Sequence, residues 1–512
     1  MVDAGKGKVY LVGAGPGDPG LLTLKGKACI EKADVIIYDY LANRAFLDFA
    51  AQGAEQIYVG KKGGAHTMKQ EEISKLIKEK AEAGLMVVRL KGGDPFIFGR
   101  GGEEAQELAE AGVSFEVVPG VTSAAAVPAY AGIPLTHRGY TSTVAFVTGH
   151  EDPAKEATDI PWDRLSTATG TLVFLMGVGN LAKIAEELMS HGRSRETPVA
   201  VIRRGTVAEQ KTVVGTLRNI ADRSEKAGIK PPAIILVGEV VKLRNELNWY
   251  ETKPLFGRRI VVTRAREQAS GFLAGLSELG AECIQFPTIQ VVPPPSWSGL
   301  DRAVRHLENY QWILFTSVNG VRFFFERMAV YGEDARELKG ILVGAIGPKT
   351  AEALRGKGIE PDLVPDEYRA EAIVEAMKVR GVKGKRVLLP RATKARAVLP
   401  LELVNMGALV DEIPAYQTVK PDEDRGRVRE MLEKGAIDMV TFTSSSTVTN
   451  FKEMFKEYGE ALKGWMDRVA VACIGPITAK TAEDYGFSVS LVPEAYTIDA
   501  LTESIVAYFT SD

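Results

Sequence analysis

Three glycine-rich stretches stand where short apolar runs end, and each could bring a ligand against bare backbone. The first reads Gly13-Ala14-Gly15-Pro16-Gly17-Asp18-Pro19-Gly20. The second runs from Arg89 through Gly92, Gly93, Asp94 and Ile97 to Arg100 and Glu104. The third holds Pro119, Gly120, Thr122 and Ser123. Glycine lets another molecule approach the chain closely, and ligands of open α/β sheets sit at strand C-termini. The first stretch fails as a dinucleotide loop. Counted from Gly13, the sixth residue is Asp18 where a glycine is needed, and an acidic group there opposes a pyrophosphate. Pro16 and Pro19 also remove backbone donors. A tight turn plus helix start is the plain alternative for each stretch. Three such loops in one region exceed what turns alone require.

A second set of polar groups lies further along. Thr316, Ser317 and Asn319 have counterparts in Thr443, Ser444, Ser445 and Ser446. Gly347 with Thr350, and Gly475 with Thr478, open helical patterns. Helix N-termini carrying hydroxyls and free N–H groups suit anions, with ordinary N-capping as the alternative. The matches form an internal repeat. Thr316 and Thr443 lie 127 residues apart, Gly347 and Gly475 128, and Arg264 and Arg391 127. Agreement across three motifs predicts two related α/β halves within 257–512, with ligand chemistry in the cleft between them.

The elements that must position these groups alternate. Runs at 9–12, 35–38, 86–90, 115–118, 142–147, 171–176, 199–202 and 233–237 read as strands separated by helical stretches. That predicts α/β domains with parallel sheets wrapped by helices. Periodicity fades at 249–257, which reads as a connection between domains at 1–248 and 258–512. Hydrophobic residues make up 45% and charged residues 25% of the chain, which excludes a disordered chain. A net charge of −3 argues against general nucleic-acid binding. Cys29, Cys283 and Cys473 lie far apart and the five histidines form no ligand motif, so no metal site is expected. The N-terminal apolar run is too short for a signal peptide and no 18-residue stretch stays apolar, which predicts a cytoplasmic protein with no membrane span.

The motifs LVGAGPGD, YDYLAN, VGKKGGAH, RLKGGDPFIFGRGGEE and AYAGIPLTHR resemble the uroporphyrinogen-III C-methyltransferase family over about residues 8–250. The resemblance implies a two-lobed α/β fold, a homodimer formed through this domain, and S-adenosylmethionine (SAM) folded between the lobes. It implies SAM contacts at Pro16, Gly92, Gly93, Asp94, Ile97, Thr122, Ser123, Met176 and Gly205. It implies Asp39 as proton acceptor and Lys61 as proton donor. Lys62 stands where the family often has arginine, and loses the bidentate fork. The substrate is a polycarboxylate, so Arg44, Lys62, Arg100 and Arg138 are candidates to meet it, with His66 and His137 as lesser ones.

The stretches VVTRAREQ, TSVNGVRFF, IGPKTAEAL, PAYQT, FTSSSTVTNF and IGPITA resemble uroporphyrinogen-III synthase over roughly 257–510. That family implies one lobe from about 258–290 plus 418–512, another from about 291–416, and a β-ladder hinge. It implies Tyr416 in leaving-group loss, while Arg264, Arg391 and Lys394 could meet acetate and propionate groups. Thr316, Ser317, Asn319, Gly347, Thr350, Ser444, Ser445, Gly475 and Thr478 are the expected substrate contacts. Together the two resemblances imply consecutive steps: closure of hydroxymethylbilane to uroporphyrinogen III, then two methylations to precorrin-2, for sirohaem or cobalamin. The alternatives are a methylase for another precorrin and a second region that only binds ligand.

Overall fold

Strands rich in Val and Ile with no polar face need cover on both sides, and parallel sheets with flanking helices provide it. The computed structural model describes residues 7–51, 53–60, 68–150, 158–264, 266–365, 370–395, 397–419, 421 and 425–511. Its first sheet contains β1 (Lys8–Gly13), β2 (Val35–Tyr38), β3 (Glu55–Tyr58), β4 (Val87–Lys91) and β5 (Ser114–Val118). They lie in the order β3-β2-β4-β1-β5, all parallel. β2 and β4 are buried at every residue. Helix α1 (Leu24–Lys32) covers one face with Cys29 and Ile30. α2 (Gln70–Glu82) and α3 (Gly101–Glu110) cover the other with Ile73, Ile77, Ala105 and Leu108.

Helix α4 (Ser123–Tyr130) leads out of the third glycine loop and sinks Ala124 and Val127 into the core beneath the next sheet. That sheet comprises β6 (Val144–Thr148), β7 (Thr171–Leu175), β8 (Pro198–Arg203), β9 (Lys211–Thr216) and β10 (Ala233–Val237). Its order is β6-β7-β10-β8-β9; β6 and β7 are parallel and the remaining pairs antiparallel.

The chain falls into two units. The first covers residues up to 259 with 276–282, the second 260–275 and 283–511. The stretch 249–257, expected as a connection, is instead built into the first unit. Tyr250 and Leu255 are buried. The Trp249 Nε1–H donates to the Ala129 carbonyl at 3.0 Å, and Tyr130 meets the rings of Trp249 and Tyr250 edge-on. Glu251 accepts from Gln210 Nε2 at 2.8 Å and Thr212 Oγ1 at 2.6 Å, and pairs with Arg244. Weak periodicity hid this packing, because aromatic anchors need none.

The strands continue as β11 (Arg259–Val262), β12 (Glu282–Gln285), β13 (Gln290–Val292), β14 (Trp312–Phe315), β15 (Leu342–Ala345), β16 (Arg386–Ala392), β17 (Leu409–Val419), β18 (Met439–Phe442), β19 (Ala470–Cys473) and β20 (Val489–Leu491). They form sheets in the orders β12-β11-β18-β19-β20 and β13-β17-β16-β14-β15. The former draws on both ends of the region, the latter on its middle. β13 and β17, next to the passages between them, pair antiparallel, with Gln290 opposite Val419. No described helix is long and apolar enough to cross a membrane.

Leu255→Ala tests whether 249–257 is structural. It should cost the first unit about 2–5 kcal/mol, read as a lower denaturant midpoint for exchange of that unit's amides. An unchanged midpoint would mean that the segment is merely draped over the surface.

Candidate functional site

The three glycine loops of the first unit meet at the ends of β1, β4 and β5. Gly15 and Gly93 exchange backbone hydrogen bonds of 3.1 and 2.7 Å. A Cβ on Gly13 would lie 2.5 Å from Gly120 Cα, so these backbones touch where no side chain fits. Asp94 clasps the second loop to the third: Oδ1 accepts from the Phe96 N–H at 2.8 Å and Oδ2 from the Gly120 N–H at 3.0 Å. Asp94 therefore shapes this floor with its side chain. Thr122 caps α4 by accepting from the Ala124 N–H at 3.3 Å, and Ser123 opens that helix.

Backbone strain gathers around the same loops. Among the described residues, the non-glycine positions with positive φ are Phe98, Arg100, Met176, Arg204 and Thr206. All lie in the first unit, in the loops after β4, β7 and β8. Such conformations cost roughly 1–3 kcal/mol each and persist where surrounding contacts over-determine them, commonly at ligand sites. Gly205 is wedged between two of them, and a Cβ there would lie 2.4 Å from Val127 Cγ1. Met176 and Ile97 are exposed, as are Phe96 and Phe98. Pro16 is half-buried beside Gly17, whose carbonyl accepts from Asn43 Nδ2 at 2.6 Å.

Asp18, which bars a dinucleotide, has a role in joining the loops. Its N–H donates to Thr206 Oγ1 at 3.2 Å, its Oδ1 caps the turn at Gly20, and its Oδ2 accepts from the Tyr130 hydroxyl at 2.6 Å. Burial, reinforced by that hydrogen bond, pushes the Tyr130 phenol well above its usual value. Gln210 extends the tie by accepting from the Thr206 N–H at 2.9 Å.

Asp39 follows directly on β2 and is partly exposed. Its Oδ1 accepts from the Leu41 N–H at 3.0 Å, and its Oδ2 pairs with Arg89 Nη2 at 3.0 Å. Arg89 and Lys91 are buried charges in β4, and both reach Glu104 of α3, itself 1% exposed. Burial, with Arg89 alongside, lowers the Lys91 ammonium below its usual value. Neither Arg89 nor Glu104 was singled out as a site residue from the sequence. The available signal was a strand, VVRLK, with two cations at alternate positions. Arg100 forks onto Glu103, with Nη2 2.6 Å from Oε2, and this contact raises the guanidinium's affinity for its proton. Arg44 and Arg138 are exposed, and His137 accepts from the Gly139 N–H within a turn. Lys61, Lys62 and His66 lie outside the described residues.

In the second unit the repeat becomes paired helix N-termini. Ser317 caps Val318–Val330 by accepting from the Gly320 N–H at 3.0 Å, and Ser444 caps Ser445–Met454 by accepting from the Thr447 N–H at 3.3 Å. Gly347 and Gly475 precede Pro348–Arg355 and Pro476–Asp484, each with proline first. Ser445 Oγ donates to the Ile477 carbonyl at 3.3 Å, joining two of these termini. Thr316 and Asn319 are half-buried. Thr350 and Thr478, in the first turns of these helices, are 3% and 5% exposed.

Tyr416, in β17, shares a hydrogen bond of 3.0 Å between its hydroxyl and Ser317 Oγ, and stacks on Phe323. The register slips between Arg391 and Ala392, and Ala392 lies opposite Tyr416; such irregularities re-aim side chains beside active sites. The repeat-related arginines differ. Arg391 is buried, with Nε 3.5 Å from Glu412. Arg264 is half-buried with its Nε unpartnered, and burial lowers its affinity for the proton. Lys394 is exposed. Among the described residues no histidine, cysteine and carboxylate group is arranged to hold a metal.

Comparisons with known proteins assign both halves. Residues 8–221 match the family model of tetrapyrrole (corrin/porphyrin) methylases, and 270–503 that of uroporphyrinogen-III synthase HemD. The porphyrin biosynthesis protein HemD of Ruminiclostridium josui is 37% identical over 98% of both chains. An S-adenosyl-L-methionine-dependent uroporphyrinogen III methyltransferase of Methanosarcina barkeri is 58% identical over 48% of this chain and 96% of its own. A crystal structure of uroporphyrin-III C-methyl transferase from Thermus thermophilus, complexed with S-adenyl homocysteine, is 44% identical over 46% of this chain and all of its own, with a TM-score of 0.40. Ile97 and Met176 are exposed in glycine-bearing loops, and such an apolar lining is compatible with SAM. The chain thus belongs to the family in which an N-terminal SAM-dependent tetrapyrrole methylase is fused to a C-terminal HemD-like uroporphyrinogen-III synthase domain.

Proposed function

We propose that this chain carries out two consecutive steps. The second unit closes hydroxymethylbilane to uroporphyrinogen III with its last ring inverted. The first unit then methylates that product twice, giving precorrin-2 for sirohaem or cobalamin. The observation that carries the reading is the floor formed by Gly13, Gly15, Gly93 and Gly120, with Asp39 at the end of a neighbouring strand. The working form is a cytoplasmic homodimer joined through the first unit.

SAM supplies a methyl group already activated by its sulfonium. The protein's task is then to position both reactants and to manage one proton. Gly92, Gly93, Thr122, Ser123 and Gly205 present backbone to the cofactor, with Pro16, Asp94, Ile97 and Met176 around it. Methylation leaves the substituted pyrrole carbon quaternary and its ring cationic, and Asp39 takes the proton that the adjacent bridging methylene then gives up to neutralise it. Arg100 and Arg138 meet substrate carboxylates, and Lys61, as proton donor, passes the released proton on to solvent.

In the second unit the Tyr416 hydroxyl donates to the departing hydroxyl of hydroxymethylbilane, which leaves as water. Ser317 sets the direction of that hydroxyl. The N-termini after Ser317, Gly347, Ser444 and Gly475 receive acetate and propionate groups, and Arg264 adds a charge whose Nε has no hydrogen-bond partner among the described residues. Holding the folded conformer that leads to inversion is the larger part of the catalysis.

Anaerobic incubation with hydroxymethylbilane, with and without SAM, tests the whole reading. Isomer III should form without SAM and its dimethylated product with it. Isomer I alone, with no methylated product, would remove the synthase assignment.

Asp39→Ala should retain S-adenosylhomocysteine affinity and lose about 100-fold or more in methyl transfer. Unchanged turnover would take Asp39 out of the mechanism. Gly205→Ala should instead weaken S-adenosylhomocysteine binding by tenfold or more, roughly 1.4 kcal/mol, in calorimetric titration. Tyr416→Phe should slow ring closure while methylation of supplied uroporphyrinogen III continues at the wild-type rate; a fall in both would contradict two separate sites.

A further inference from the structure

Arg89 is 3% exposed in the middle of a parallel sheet, and each of its three guanidinium nitrogens is engaged. Nε faces Glu104 Oε1 at 3.4 Å. Nη1 donates to the Ile37 and Leu90 carbonyls at 3.4 and 3.1 Å. Nη2 donates to Asp39 Oδ2 at 3.0 Å. Ile37 is the direct register partner of Arg89 across β2 and β4. One planar group therefore fixes the end of β2 and the carboxylate that follows it.

The rest of the cluster explains why this arginine is free to do so. Lys91 lies two residues on and so on the same face of β4, and it takes the closer contact with Glu104, 2.7 Å from Oε1. Gln70 of α2 also donates to Oε1, at 2.9 Å. Three donors thus converge on one oxygen of Glu104, while its Oε2 is buried with no hydrogen-bond partner among the described residues. A buried carboxylate carries a large desolvation cost, and an orphaned buried oxygen adds to it. A cluster built only for stability would use both oxygens. In this one Glu104 is loaded on one side by Lys91, and the shortest ion pair of Arg89 is directed outward to Asp39.

We infer that Arg89 is a positioning residue for methyl transfer: anchored by Glu104 and relieved by Lys91, it sets the rotamer of Asp39 at the reacting carbon. This rests on the proton-acceptor role proposed above for Asp39. A lysine at 89 keeps the charge but has one nitrogen, and cannot span Glu104, two carbonyls and Asp39 as the guanidinium fork does.

The test uses the full chain with SAM and uroporphyrinogen III under anaerobic conditions, and compares Arg89→Lys, Asp39→Asn and the double variant. Arg89→Lys should lose about tenfold or more in kcat, with the KM for the tetrapyrrole and the affinity for S-adenosylhomocysteine within about twofold of wild type. The double variant should be no slower than Asp39→Asn, because both substitutions act through one carboxylate. Wild-type kcat in Arg89→Lys, a loss confined to KM, or losses that multiply in the double variant would each overturn the inference. Full turnover by Asp39→Asn would overturn the role of Asp39 itself, and that single variant separates the two failures. Should Arg89→Lys lose its cooperative melt, Glu104→Gln takes its place. It weakens the anchor and leaves Arg89 intact, so a folded Glu104→Gln protein should show reduced kcat at unchanged cofactor affinity, and wild-type kcat there would overturn the inference.

Discussion

Backbone meets backbone at the ends of β1, β4 and β5, and the first unit is organised around that approach. Any side chain at Gly13 or Gly120 would collide with the other strand's loop. The approach requires glycine at those positions and leaves the Gly15–Gly93 hydrogen bonds to align the loops. Asp94 then ties the second loop to the third with its carboxylate, and Asp18 ties the first to Thr206 and Tyr130. The positive-φ residues Met176, Arg204 and Thr206 sit in the loops after β7 and β8. Strain of this kind is held in place by contacts such as the Thr206–Gln210–Glu251 chain of hydrogen bonds.

Much of this was legible in the sequence because it depends on residue types with few substitutes. Glycine clusters at strand ends, the failed sixth position at Asp18 and the repeat of 127–128 residues are all features that backbone geometry imposes. The buried charges were harder to read. Arg89 and Lys91 alternate with apolar residues, a pattern that fits a strand with one wet face, whereas here both faces are covered. Only the position of Glu104 on α3 makes burial of two cations tolerable, and a contact between β4 and α3 leaves no local trace.

The two repeat-related stretches of the second unit share some local geometry and differ elsewhere. Ser317 and Ser444 have kept the same capping geometry, with φ near −165° at both. Arg264 and Arg391 differ in burial: the latter is 4% exposed near Glu412, the former half-buried. Tyr416 sits in β17 beside an irregularity in the strand pairing, in a sheet composed only of the middle of the region.

The pairing of β11 with β18 carries a consequence for how the chain is made. Thr441 donates to the carbonyl of Val261 across 180 residues of sequence, so β11 leaves the ribosome long before its neighbour exists. At roughly 5–20 residues per second, that delay is on the order of 10–40 s. Throughout it the apolar strand Ile260–Val262 has an unsatisfied edge of the kind that recruits other strands. The middle sheet, whose strands β14 to β17 are contiguous in sequence, can close during the same interval. A nascent chain stalled before β18 would therefore hold a β11–β12 pair with one open edge beside the middle sheet.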